Sequence, residues 1–379
     1  MKIDKSKPSH WLKLLSFAAQ ATVGLLLRPL SKKSAVTLYG HKLNGNLLPL
    51  YQQCPDAVFL SMDRDYCLAL HAQGIRAQWA CTPGAALLLA RSKAIISDHG
   101  LHSLEPLLPA YRKTGLKCFD VWHGIPFKGF DADDFRLQRT YDEVWVASPL
   151  HRELYIERYG FAPEKVIVTG YARTDALVQP AHTNIELREH LKLPADGAII
   201  LFAPTWAQDT QGRSLYPFGH NETEFLTVLS ELARAHNATV ILRTHLNSSG
   251  TEVRREYSNI CRMPSNQWTD TESILQVSDV LICDWSSIAF DYLLLGRPTL
   301  FLDVPAPFRK GFSLGPEYRF GALVCSLKTL MQELERAIEQ PDEYWRSHAE
   351  KHSAVLTDIY GAWADGKATQ RCLERLSEW

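Results

Sequence analysis

Histidine, arginine, lysine and paired serines recur in one setting in this sequence: directly behind short runs of aliphatic and β-branched residues. In Val121-Trp122-His123-Gly124-Ile125-Pro126-Phe127-Lys128-Gly129 an apolar run, Leu116–Val121, ends in a His followed by Gly and Pro. An imidazole takes a proton from a hydroxyl near neutral pH, so His123 is a candidate general base. Lys128, five residues on, suits negative charge on a phosphoryl oxygen. The structural alternative is a loop His bonded to a main-chain carbonyl.

A second run, Thr239-Val240-Ile241-Leu242-Arg243-Thr244-His245, ends in two cationic side chains. The two-residue alternation of an extended chain puts Arg243 and His245 on one side, a pair fit for phosphate oxygens. A salt-bridged sheet rim is the other reading. In Val280-Leu281-Ile282-Cys283-Asp284-Trp285-Ser286-Ser287-Ile288-Ala289-Phe290-Asp291-Tyr292 a buried strand gives way to Asp-x-Ser-Ser and an apolar helix. Ser286 or Ser287 is expected to cap that helix, whose free N–H groups attract anions. A plain cap with no ligand fits the same residues. Ala203-Pro204-Thr205-Trp206 and Gly170-Tyr171-Ala172-Arg173-Thr174-Asp175 repeat the strand-then-polar-turn pattern. Thr205, Arg173 and Asp175 join the candidate site with Asp284 and Asp291.

Such residues need a scaffold that delivers strand ends to one place. Candidate strands are Val36–Tyr39, Val58–Ser61, Ala94–Ser97, Leu116–Val121, Val144–Ala147 and Lys165–Thr169. A second series is Ala198–Ala203, Thr239–Arg243, Val280–Cys283 and Thr299–Leu302. Strands alternating with helix-compatible stretches predict an α/β protein with doubly wound parallel sheets. The polar stretch 179–184 is the best linker. Ligands of such sheets bind at the carboxyl ends of the strands, and a cleft between two sheets is expected. The expected organisation is a basic N-terminal segment 1–33, a first domain 34–180, a second domain 181–350 and a C-terminal helix 351–379.

At 379 residues the chain is long enough for two domains. A net charge of −1 argues against a nucleic-acid partner. No two of the eight cysteines lie within three residues of each other, so no C-x-x-C pair is available. No G-x-G-x-x-G or P-loop pattern follows a strand. Asp131-Ala132-Asp133-Asp134 reads as a solvated loop, and no metal or cofactor is expected. Residues 1–33 carry seven positive side chains and one negative, so the rest of the chain sums to −7. The apolar stretch from Leu14 to Leu27 is shorter than the roughly 20 residues of a spanning helix. It reads as a helix lying in the interface of an anionic membrane, or as a first helix packed on its own domain.

Taken together, these stretches resemble the CDP-glycerol glycerophosphotransferase family, the primases and polymerases of teichoic-acid and related glycerol-phosphate polymers. The resemblance rests on the order of Trp122-His123-Gly124-x-Pro126-x-Lys128, Gly170-x-x-Arg173-x-Asp175, Ala203-Pro204-Thr205-Trp206, Arg243-x-His245 and Asp284-x-Ser286-Ser287-x-x-Phe290-Asp291-Tyr292. It implies a GT-B-like fold of two Rossmann-type domains, the first for the acceptor and the second for the donor. It further implies transfer of glycerol phosphate from CDP-glycerol to the hydroxyl of a lipid-linked acceptor, with release of CMP, at the cytoplasmic face of the cell membrane. His123 and His245 would be the catalytic pair, His123 the base. Arg243, Ser286, Ser287 and Lys128 would hold the donor phosphates, and Asp291 would lie near the donor. The chain departs from the family pattern at Ile125, Ala172, Ala207 and Leu246. A CDP-ribitol donor, or a GT-B enzyme using a UDP-sugar, are the alternatives.

Overall fold

The computed structural model describes residues 7–205, 216–243, 256–265 and 267–379. These divide into two compact units interleaved along the chain. The first holds residues up to His123, then Asp131–Asp175 and Lys367–Trp379; the second holds Gly124–Phe130 and Ala176–Gly366.

The first unit is built on seven parallel strands: β1 (Ala35–Tyr39), β2 (Ala57–Ser61), β3 (Ala77–Trp79), β4 (Ser92–Ser97), β5 (Lys117–Asp120), β6 (Glu143–Val146) and β7 (Val166–Val168). Their spatial order is β3-β2-β1-β4-β5-β6-β7. The chain winds outward from β1 in one direction, then restarts at β4 and winds in the other. The crevice outside β1 and β4 is therefore the switch point where such sheets take ligands. One face of the sheet packs Val36, Leu38, Phe59 and Ile96 against Leu47, Leu50 and Cys372. The other packs Leu60 and Ile95 against Leu89, Tyr111 and Phe17.

The second unit repeats the plan with β8 (Ala198–Ala203), β9 (Ala238–Leu242), β10 (Ile260–Arg262), β11 (Val280–Cys283), β12 (Thr299–Leu302) and β13 (Ala322–Val324). Their order, β10-β9-β8-β11-β12-β13, puts the switch point between β8 and β11. Every strand expected from the sequence is present. The short strands β3, β10 and β13, three residues each, were not foreseen. They carry no long apolar run, and their pairing is decided by the neighbouring strand.

The N-terminal helix α1 spans Pro8–Leu27, twenty residues rather than the expected fourteen-residue apolar stretch. Pro8 starts it, since a first-turn N–H has no intrahelical partner to lose. Phe17, Ala21 and Gly24 face the helix Pro83–Arg91, and a Cβ at position 24 would come within 2.8 Å of both the Ala86 carbonyl and the Tyr111 hydroxyl. Trp11, Leu12, Leu15, Val23 and Leu26 stay exposed. By length and composition α1 could cross a bilayer, yet one face is committed to its own unit.

Just beyond α1, the buried Arg28 donates from Nη1 to the carbonyls of Leu89 (2.7 Å) and Ser92 (2.9 Å) and from Nε to the Thr114 hydroxyl (2.8 Å). It thereby satisfies carbonyls at the end of the helix Pro83–Arg91. Arg28→Met should strand these acceptors and lower the stability of the first unit by about 2 kcal/mol, read as a lower urea midpoint.

The sequence reads as one C-terminal helix over 351–379, and the structure corrects this. A helix Pro341–Ile359 belongs to the second unit, and a separate helix Ala368–Ser377 to the first. Gly361 (φ +53°) and Gly366 (φ +76°), in left-handed conformation, break the run.

Candidate active site

At the first switch point, three loops leave the sheet edge side by side. His41 follows β1, Asp98 and His99 follow β4, and Asp120 ends β5 with His123 three residues beyond. The His99 and His123 rings lie parallel, their centroids 4.3 Å apart and their planes 7° from coplanar. His41 meets the His99 ring at 4.5 Å. His99 Nδ1 is 2.8 Å from the carboxylate of the buried Asp98.

The His123 loop is pinned by hydrogen bonds. Asn46 donates to the carbonyls of Val121 (2.8 Å) and Trp122 (2.9 Å), and its own oxygen accepts the Arg173 N–H (3.1 Å). The buried Arg173 donates through Nη1 to the His123 carbonyl (2.7 Å). Trp122 sits at φ +41°, a left-handed conformation rare for a bulky residue. Asp120 Oδ1 holds it there by accepting the Trp122 N–H at 2.8 Å.

His123 Nδ1 donates to the Asp98 carbonyl at 3.2 Å, which makes Nε2 the basic nitrogen. The residue keeps an open face to solvent, yet its ring is partly desolvated by the His99 and Trp122 rings beside it. That desolvation, then the charge of His99, Arg173 and His41, holds its pKa well below the ordinary imidazole value, with the Asp98 carbonyl opposing. Burial works the same way on His99, but the Asp98 carboxylate and Asp120 overcome it and raise that pKa. Burial pushes the Asp120 carboxyl up to about 7, with a smaller rise from Asp98 and opposition from the Trp122 N–H.

The second switch point carries the Asp-x-Ser-Ser stretch. Asp284, buried behind β11, accepts from both the N–H (2.8 Å) and the hydroxyl of Thr205, which follows β8. Two stretches quoted separately in the sequence are thus one cluster. Ser287 occupies the cap position of the helix Ile288–Leu293, but its side chain does not cap it. The backbone there is helical (φ −62°, ψ −15°), whereas a capping hydroxyl needs an extended residue to swing back onto the N–H groups. The half-buried hydroxyls of Ser286 and Ser287 are therefore not spent on capping. Asp291 is buried one turn further on.

The remaining candidates divide. Arg243 is buried and already engaged: its fork donates to the carbonyl of Trp268 (3.1 Å), more weakly to that of Met263 (3.4 Å), and to the Thr271 hydroxyl (2.7 Å). Burial lowers its pKa, with Glu272 and Asp270 opposing. Lys128 lies in the segment 124–130, bridged in antiparallel fashion to Phe312, with its ammonium 5.0 Å from the Phe130 ring centroid. Gly129 N–H donates to the Gly311 carbonyl, and a Cβ at position 129 would fall 2.4 Å from the Lys310 oxygen. Asp175 is bound elsewhere: its two oxygens accept the N–H groups of Ala368 (2.9 Å) and Thr369 (2.7 Å), capping the last helix. Asp175→Ala should release that helix from its cap at a cost of about 1 kcal/mol, seen as faster amide exchange over 368–377. The Asp131–Asp134 loop is closed by its own side-chain-to-backbone bonds, as expected of a solvated turn. His245, with Trp206 and Ala207, lies outside the described residues. Sequence reasoning missed Asn46, Asp98, His99 and Asp120, although the position of Asp98-His99 immediately behind an apolar run was the available signal.

Residues 53–378 match the family of CDP-glycerol:poly(glycerophosphate) glycerophosphotransferases. The chain is 28% identical over 309 residues to the teichoic acid ribitol-phosphate polymerase TarK of Staphylococcus aureus, covering 76% of this chain and 57% of that protein. It is 24% identical over 294 residues to the teichoic acid glycerol-phosphate transferase of the same organism, covering 70% of this chain and 72% of that one. Against the teichoic acid poly(glycerol phosphate) polymerase of Staphylococcus epidermidis it is 27% identical over 229 residues, 54% of this chain and 31% of the polymerase. The chain thus spans from 31% to 57% of the length of several of its curated relatives. The solved wall teichoic acid polymerase TagF superposes with a TM-score of 0.75 over 98% of both chains at 19% identity. A UDP-GlcNAc 2-epimerase from Neisseria meningitidis superposes at 0.56, with 13% identity over 91% of this chain and all of that one. The fold is GT-B-like, two α/β units with parallel sheets.

Proposed function

The chain belongs to the CDP-glycerol:poly(glycerophosphate) glycerophosphotransferase family, and we propose that it transfers glycerol phosphate from CDP-glycerol to the hydroxyl of a membrane-linked acceptor in the synthesis of a teichoic-acid-like or capsular polymer. The acceptor oxygen attacks the phosphorus bearing the glycerol, and the bond from that phosphorus to the bridging oxygen breaks, releasing CMP. His123 Nε2 takes the hydroxyl proton. Phosphoryl transfer asks chiefly for positioning and charge neutralisation, so the protein needs one base and a set of donors. The observation that carries the reading is His123 itself: Nδ1 is committed to the Asp98 carbonyl, which leaves the lone pair on Nε2.

On this reading the first unit receives the acceptor and the second the donor. The uncommitted Ser286 and Ser287 hydroxyls, Lys128 and His245 serve the diphosphate. Arg243 contributes its positive field while it ties the loop 263–271, and Thr205 is fixed by Asp284. Asp291 orients the donor end of this cluster. The exposed apolar face of α1, beside Lys7 and Lys13, lies on the cytoplasmic face of the membrane and brings the lipid-linked acceptor near.

CDP-ribitol is the competing donor, favoured by the likeness to a ribitol-phosphate polymerase. The test mixes the purified protein with detergent, a lipid extract and, in parallel, CDP-glycerol, CDP-ribitol or UDP-sugars, and follows the released nucleotide by chromatography. CMP formed from CDP-glycerol only when acceptor lipid is present is the expected result. CMP from CDP-ribitol alone would replace the donor, and turnover of a UDP-sugar would replace the reaction.

A further inference from the structure

The proposal concerns how the base is kept a base, and it rests on the reading of His123 as that group. Two parallel imidazoles 4.3 Å apart resist both being cations, since like charges at that distance repel. Something must decide which ring is charged. The structure supplies it on one side only: His99 Nδ1 rests on the Asp98 carboxylate, while His123 Nδ1 meets the neutral carbonyl of the same residue. One residue thus touches both rings, each with a different oxygen.

We propose that Asp98 and His99 are a positioning pair for His123: the Asp98 carboxylate holds His99 as a cation flat against the His123 ring, and the Asp98 main-chain oxygen fixes His123 with its lone pair on Nε2.

The groups facing these rings come from four elements. His41 approaches His99 from the end of β1. From β5, Asp120 adds a second acid, its oxygens engaged by the Trp122 N–H and the Ser97 hydroxyl (3.3 Å). Trp122 stacks obliquely on His123 with ring centroids 4.2 Å apart. Arg173, from the turn after β7, adds a positive charge at the His123 carbonyl. The two acids, Asp98 and Asp120, act on His99, while Arg173 places its charge beside His123. The direction of each pKa follows that placement, raised for His99 and lowered for His123. An environment that drives two neighbouring groups apart in this way assigns one the charge and the other the proton-accepting role. Neither Asp98 nor His99 touches the reacting atoms in this account; both act through His123.

The test uses the full chain labelled with 15N-histidine, the His123 signals being assigned by their loss in His123→Asn. In the wild type, His123 should show the Nδ1–H tautomer with an apparent pKa below 6.5. His99→Gln removes the neighbouring cation and should raise that pKa by roughly half a pH unit or more. His99→Arg keeps a cation and should leave it near the wild-type value. A His123 titration that stays put in His99→Gln, or that moves equally in both variants, would overturn the proposal. Should His99→Gln fail to fold, Asp98→Asn gives the second reading. It retains the main-chain acceptor and should lower the His99 pKa itself by about one pH unit, and an unchanged His99 titration there would be equally fatal. These spectra need no turnover. CMP release from CDP-glycerol, measured on the same samples, reports separately on the donor reading.

Discussion

His123→Ala should reduce kcat by about a thousandfold while CDP-glycerol binds within about twofold of the wild-type affinity. A positioned general base contributes roughly 10²–10⁴ in rate, and His123 is fixed at Trp122, at its own carbonyl and at Nδ1. The diphosphate contacts proposed for Lys128, Ser286 and Ser287 all lie in the second unit, which the substitution does not touch. Single-turnover CMP release together with calorimetric titration of CDP-glycerol separates the two effects. A loss below tenfold would remove His123 as the base; a matching loss of binding would make it a donor ligand instead. The wild-type pH profile follows from the sign of the shift. The base works neutral, and its pKa lies below the ordinary 6.5, so log kcat/KM should be flat through pH 7 and 6.5. It should fall only as pH drops through the lowered value. The same shift makes protonation unfavourable to the fold, so the contribution of His123 to stability is present above 6.5 and is lost as pH falls below it.

The strand ends were legible because parallel strands buried on both faces are continuous apolar runs, and whatever polar residue follows them must stand at the sheet edge. That logic located His123, Thr205 and Asp284 without any knowledge of their partners. It could not say that Thr205 and Asp284 meet, because contact across the β8–β11 switch depends on register. Nor could it separate ligand groups from structural ones with the same chemistry. Asp175 and Arg243 have the residue types of a phosphate site, and the structure adds that the first caps a helix nearly two hundred residues away and the second ties a loop. Asp98-His99 also stands directly behind an apolar run, yet nothing in the sequence marks it as the partner of His123. Its meaning comes from stacking, which has no sequence period.

Phe290→Ala should destabilise the second unit by about 3–5 kcal/mol, and the reason bears on the loop that follows the base. Phe290 is fully buried in the short helix behind Ser287, where its ring stacks on Phe127 at 4.4 Å. Phe127 in turn meets Trp285 edge-on at 5.8 Å, and Trp285 packs on Phe312 at 4.8 Å while its Nε1 donates to the Val304 carbonyl at 2.8 Å. The segment 124–130 adds two backbone bonds here, Gly129 N–H to Gly311 and Ser313 N–H to the Phe127 carbonyl. Removing a fully buried ring forfeits its transfer energy and leaves a cavity beside Phe127. Because the protein has two units, the loss should appear as an earlier urea transition of one of them, read by amide exchange resolved over the two units, with the other unchanged. Phe290→Leu should recover most of it. Limited proteolysis below the transition should then cut within 124–130 in Phe290→Ala, since Phe127 has lost the ring it rests on. A destabilisation under 1 kcal/mol with no new cleavage would mean the segment is held by its backbone bonds alone. Cleavage without much destabilisation would instead identify the Phe127–Phe290 stack as the element that keeps Lys128 in place.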